Sequence, residues 1–240
     1  MKDVALKTCI VLFALFLAPN LSLAQSPVLA TAQTLDSTAQ SLGQSLSHAL
    51  TVQRPFDPAT YKPLNAHERW HRMVREDGGA PGVYVESLGS AAYLQVFNSP
   101  SEWKGTTRGY LRRAGSSFAT DVIQNSIQES MGAVAGTDPR YFACACSGLF
   151  PRTGHALKMT LLTYSHSGHL TLDIPQLSGA YGSSMIETMW YPHRYSPLVQ
   201  GVQSGHMAVG LIGAEHILQE FSPELKRFFH LRFLMHPATQ

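Results

Sequence analysis

Cysteine, charge and long apolar runs are scarce in this 240-residue chain. Each scarcity excludes something. The three cysteines fall at Cys9, Cys144 and Cys146, so no disulfide framework is available. Charged residues make up 14% of the chain and the net charge is +2, which leaves no electrostatic footprint for nucleic acid. No alternating strand pattern stands out. No strand–GxxxxGK–helix context exists for a phosphate loop, and no serine or cysteine nucleophile signature is present. Small residues, by contrast, are plentiful: glycine, serine and alanine recur at a density that suits helices packed backbone to backbone, or a surface resting on something apolar.

The chain opens MKDVALKTCIVLFALFLAPNLSLAQS. Lys2 and Lys7 precede an apolar run from Cys9 to Leu17, and Ser22-Leu23-Ala24 offers small residues before Gln25. This is the pattern of a secretory signal peptide over residues 1–24. The run is short for a membrane span and breaks at Pro19-Asn20, against a retained anchor. Cys9 sits too early for a lipoprotein cysteine. The expected product is exported, to the periplasm or the outer membrane. Loss of 24 residues leaves 216; Lys2, Lys7 and Asp3 leave together, so +2 becomes +1. That length holds one domain with a core.

Residues 25–62 read as a polar leader followed by a proline-rich linker. Leu35, Ala39, Leu42, Leu46 and Leu50 have near-helical spacing, and VQRPFDPATYKP then reads as extended chain. The compact part is expected over 63–240, as an all-α bundle of about six Gly/Ser/Ala-rich helices. Asn65 caps a first helix over 66–76, ended by Asp77-Gly78-Gly79. A second covers 81–97, where Gly89, Ala91 and Ala92 allow close approach. A long third runs from about Thr107 to Gly132, basic first and then apolar through Phe118, Val122, Ile123, Ile127 and Met131. A fourth spans 151–165, with Leu157, Leu161 and Tyr164 on one face. A fifth spans 175–190, and the last long one 198–221. There Gly201, Gly205 and Gly213 follow a small-residue spacing. Ser222-Pro223 either kinks that helix or starts the basic, aromatic tail KRFFHLRFL.

Six constellations could carry chemistry, binding or a joint. His67-Glu68-Arg69-Trp70-His71 matches H-E-x-x-H, which on a helix presents two imidazoles for zinc and Glu68 as general base. The arginines Arg69, Arg72 and Arg75 crowd this helix, and a catalytic zinc needs a third ligand, so the bland reading is a solvated helix face. Arg108, Arg112 and Arg113 could hold a phosphate or lipid head group, or pair with Asp121 or Glu129. Asp138-Pro139-Arg140-Tyr141 reads as a helix–helix joint, with Asp138 accepting from the following backbone and Arg140 aimed at a carboxylate. Cys144 and Cys146 are two thiols or a bridge to another chain in the ordinary reading, because residues two apart fit a disulfide poorly; the alternative is a redox-active pair. His155, His206 and His216, with Glu187 or Glu129, could converge on a metal, but a histidine on an apolar helix is more often core. The tail, with Lys226, Arg227 and Arg232 among Phe228, Phe229, Leu231, Phe233 and Leu234, suits an anionic membrane surface or packs back on the bundle.

The ordered landmarks TRGYLRRAGSSFATDVI, TDPRYF, R-x-x-HAL, a Gly-rich stretch ending in Trp190-Tyr191-Pro192, and EFSPEL resemble a family of uncharacterised exported helical proteins, hypothetical proteins of soil bacteria. The resemblance covers about residues 63–227. It implies a helical, exported protein with no established activity. At HERWH and at ACACSG this chain departs from the family pattern, so the resemblance implies neither zinc nor redox chemistry. The expectation is therefore an exported, non-enzymatic envelope protein without cofactor, packing against a membrane surface or a protein partner, with a homo-oligomer open and nucleic acid excluded. The alternatives are a zinc-dependent hydrolase using HERWH and a carrier of a small apolar ligand.

Overall fold

A computed structural model describes residues 53–75 and 81–229. The signal peptide, the leader helix, the Asp77-Gly78-Gly79 stop and the tail beyond Phe229 lie outside the described residues. Within them the chain is all-α, with seven helices rather than about six, and one small hairpin.

Helix α1 covers Ala66–Val74. Asn65 caps it in a reciprocal box: the Asn65 side chain accepts from Glu68 N at 2.9 Å, and Glu68 accepts from Asn65 N at 2.8 Å. Helix α2 covers Pro81–Val96 and α3 covers Thr107–Ala135. Thr106 caps the start of α3, and Gly136 ends it in the left-handed conformation, at φ 66°, that glycine takes without steric cost. At 29 residues α3 is about 43 Å long and forms the spine of the molecule.

Helix α4 covers Leu149–Met159. The fourth expected helix is thus cut short. Residues Leu162–Tyr164 form β1, antiparallel to β2 at Leu170–Leu172, with Leu162 opposite Leu172. A tertiary contact overrides the helical periodicity here. Tyr164 O accepts from Asp138 N at 2.8 Å, and Thr163 Oγ1 donates to Asp138 O at 2.5 Å, so this stretch is claimed by the segment after α3. Helix α5 covers Ile174–Glu187, capped by Asp173, which accepts from Gln176 N at 2.9 Å. A π turn at Pro197–Gly201 leads into α6, Val202–Glu220. The chain breaks at Phe221 and starts a separate α7 over Ser222–Phe229.

The bundle is laid out as an open row in the order α2, α3, α5, α6, α4, with each helix packed mainly on its neighbours in that order. Among the described residues no contact of similar extent joins the ends of the row. Helix α1 packs on α3, and α7 lies by α6. Small residues set the spacing. A Cβ on Gly179 of α5 would meet the backbone carbonyl of Gln124 in α3 at 2.8 Å, and one on Gly205 of α6 would collide with the Tyr181 ring in α5. Gly89, expected at a contact, faces open space; the packed face of α2 carries Ser87, Ser90, Ala91 and Leu94.

A single row has two open faces, and its burial pattern is partly inverted: Ala91, Leu94, Met159 and Leu211 are buried in the ordinary way, but polar groups are buried beside them. The buried face of α3 is Gly109, Arg113, Ser116, Ser117, Thr120, Asp121 and Gly132, whereas Met131, in the apolar second half of the helix, is exposed. Leu157 and Leu161, expected to share a packed face, are exposed as well, and Ala156 and Met159 pack instead. The buried apolar cluster is small, consisting of Trp103, Tyr191 and Tyr195 with Trp190 against it.

Candidate functional site

Among the described residues, three polar clusters, around Arg69, Asp138 and Glu220, tie distant chain segments together. At α1, Arg69 is buried. Its guanidinium bonds Glu129 Oε2 at 3.1 Å, the carbonyl of Thr137 and His166 Nε2, while Arg72 lies 3.5 Å from Glu129 Oε1. Arg69 and Arg72 of HERWHR thus face inward onto α3, while the solvated face of this helix carries His67, Trp70 and His71. His67 and His71 lie on the outer side, with Nε2 atoms 3.0 Å apart. Glu68 is held in the cap, with Lys62 at 3.6 Å, and the Asn65 backbone bond draws its carboxyl below the usual range. It therefore serves the helix start rather than the imidazoles. Among the described residues no three His, Cys, Asp or Glu side chains gather as a metal site. His206 is exposed and bonded to Val202 O, away from His155 and His216.

The arginine cluster at the start of α3 also divides. Arg108 is exposed. Arg112 stacks over the Trp103 ring at 4.7 Å and donates to Trp190 O at 3.2 Å. Arg113 is fully buried and bonds the carbonyls of Ser99, Pro100 and Lys104 and the side-chain oxygen of Gln95. A guanidinium has five donors in a fixed fork, so one buried arginine can hold a whole loop. The three arginines do not converge on one anion site, and Glu129, a partner expected for them, is taken by α1. Trp190 donates from Nε1 to Ser116, which in turn bonds the buried Glu187. The Trp190-Tyr191 element thereby ties the chain after α5 to the first half of α3.

The second cluster is the Asp138 joint. Asp138 accepts from Arg140 N at 3.0 Å, Arg140 Nε at 2.8 Å, Arg140 Nη2 at 2.5 Å and Tyr61 Oη at 3.1 Å. Burial pushes its carboxyl up, but the Arg140 bonds and charge outweigh that and hold it below the usual range. Burial, then the Asp138 charge, raise Tyr61 to about 12. Arg140 also reaches Lys62 O, and Phe56 stacks on Tyr164 with centroids 3.7 Å apart. The joint fastens the extended stretch 54–62 to the hairpin as well as linking helices.

The third cluster surrounds Glu220, at the end of α6. Its carboxylate accepts from Tyr141 Oη at 2.6 Å, from Cys144 N at 3.0 Å and from Arg152 Nε at 3.3 Å. Burial, then the bond to Glu220, drive the Tyr141 hydroxyl well above its usual range. Cys144 and Cys146 are joined in a disulfide with Cα atoms 5.1 Å apart. This corrects the expectation of free thiols or an interchain bridge: the bend at Ala145 brings the Cα atoms within disulfide range. Beside it, His216 stacks on Tyr141 at 4.4 Å, and its Nδ1 has no hydrogen-bond partner. Burial lowers His216 to about 3 and raises Asp173 to about 6. The two residues line a polar cavity with room for about one water.

Sequence reasoning missed Glu220, Arg152, Tyr61 and Asp173. Only Asp173-Ile174-Pro175, an N-cap followed by a helix-start proline, carried a local signal. The chain matches no family model, no curated protein and no solved structure.

Proposed function

We propose that this is a non-enzymatic, exported, helical envelope protein that acts by packing against a membrane surface or a protein partner. The observation that carries this reading is the inverted burial. Val134, Phe150 and Val96 are 92%, 82% and 80% exposed, while Arg113, Asp138 and Glu220 are 0%, 1% and 2% exposed. Charges that would normally solvate a surface are spent on joints inside, and large apolar side chains stand outside.

The exposed apolar residues are patterned. On α2, Tyr84, Leu88, Ala92 and Val96 recur every four residues. On α4 and just beyond it, Phe150, Leu157 and Leu161 recur at helical spacing. These are the two end helices of the row. Stacked-repeat architectures need polar caps at their ends to remain soluble, and here both ends are apolar. An apolar end stripe is satisfied by a further helix, a second copy of the chain or a lipid surface.

The chain from Gln25 onward should self-associate, or co-sediment with vesicles of anionic phospholipid. Sedimentation velocity with and without vesicles separates the two modes. A monomer at high concentration that also leaves the vesicles bare would overturn the proposal.

A further inference from the structure

His67 and His71 lie one turn apart on α1, exposed, with their Nε2 atoms 3.0 Å apart and ring centroids 4.2 Å apart. We infer that they form a surface site for a divalent copper or nickel ion, with zinc disfavoured. The distance shows that both nitrogens can reach one ion, and the general order of affinities for nitrogen ligands, with copper above nickel and zinc, carries the choice of metal. An ion about 2.0–2.1 Å from each imidazole nitrogen, the usual bond length, would subtend an angle of roughly 90–95° at this separation. A tetrahedral ion would need nitrogens about 3.4 Å apart. A right angle is the cis angle of square-planar and octahedral coordination, which copper(II) and nickel(II) adopt with nitrogen ligands.

The local scaffold supports the same geometry. The Asn65–Glu68 capping box fixes the first turn of α1, and buried Arg69 anchors the opposite face to Glu129. Both imidazoles therefore project from a pinned helix. Glu68 stays in the cap, so no carboxylate is offered as a general base for a metal-bound water. Water fills the other coordination positions, and the site holds an exchangeable ion instead of processing a substrate. In the metal-free pair one Nε2–H can donate to the facing Nε2; when the ion binds, that ring shifts its proton to Nδ1, so both Nε2 lone pairs face the ion and no net proton is released. The inference is independent of what the end stripes pack against.

The test is a titration of the chain from Gln25 onward, purified free of metal, with copper(II) chloride, nickel(II) sulfate and zinc sulfate. Tryptophan emission reports binding, since Trp70 is exposed beside His71. Electron paramagnetic resonance reports the copper ligands. The expected result is one tetragonal copper with two nitrogen ligands, bound more tightly than zinc. His67→Ala or His71→Ala should each weaken binding by at least about tenfold, with the helical circular dichroism unchanged. Copper binding undiminished in the double variant, no binding by the parent chain, or zinc bound as tightly as copper would each overturn it.

Discussion

Asp173 shows how one buried group sets a pH dependence. It caps α5 and lies in the polar cavity, where burial lifts its carboxyl from 3.8 to about 6. A carboxyl raised in the folded state binds its proton more tightly there than in the unfolded chain. Its effect on stability is therefore unfavourable above the window, and stability falls as pH rises from about 4 to about 6. His216 acts with the opposite sign. Its folded value is lowered from 6.5 to about 3, so its contribution is complete above about 6.5 and is lost as pH falls toward 3. Between about pH 4 and 6 the two oppose each other. Asp173→Asn keeps a capping oxygen and removes the charge. Urea unfolding at pH 7 should show the variant about 1–2 kcal/mol more stable than the parent. Its stability should also rise more steeply with pH between 4 and 6, because His216 then acts unopposed. No change in that slope would mean that Asp173 does not titrate there.

Helix spacing is decided by single glycines, and two of them predict opposite outcomes. Gly179 sits against the Gln124 carbonyl at the α3–α5 contact, where backbone cannot yield locally. Gly179→Ala should push the helices apart and cost about 1–3 kcal/mol. Gly89 on α2 has no atom within 4 Å of an added Cβ. Gly89→Ala should gain about 0.5–1 kcal/mol through helix propensity alone. Thermal and chemical unfolding of the two variants side by side checks both signs. Equal effects would remove the distinction between contact and open glycines. Both residues looked alike in sequence, each within a Gly/Ser/Ala-rich helix. What separates them is a neighbouring helix, which the local pattern does not contain.

For the whole molecule, the open row leaves several large apolar side chains exposed while Arg69 and Arg113 are buried. Pairing Leu88→Ser with Val96→Ser on α2, or Phe150→Ser with Leu157→Ser on α4, removes an end stripe. Leu88, Val96 and Phe150 are exposed, so stability should change by no more than about 0.5 kcal/mol at each, whereas Leu157, which lies against Gly213 of α6, should cost about 1 kcal/mol. Self-association or vesicle binding should fall in at least one of the pairs. A large drop in melting temperature with association intact would instead place these residues in contacts within the chain.

The sequence by itself determined the helices. Asn65, Thr106 and Asp173 cap their starts, Gly136 and the break at Phe221 end two of them, and these signals act within a few residues. It also determined the Asp138–Arg140 turn, whose bonds span two residues. Tertiary structure decided the rest. Glu220 meets Tyr141 across 79 residues, and Arg69 meets the Thr137 carbonyl across 68. Such pairs are invisible to periodicity because Glu220 and Arg69 lie on helices whose neighbours are fixed only by packing, and Tyr141 and Thr137 lie in the irregular segment after α3. The same holds for strand β1, taken from a helical pattern by the Asp138 backbone, and for the inversion of burial. Period 3.6 identifies an apolar face; only the row shows that this face points outward.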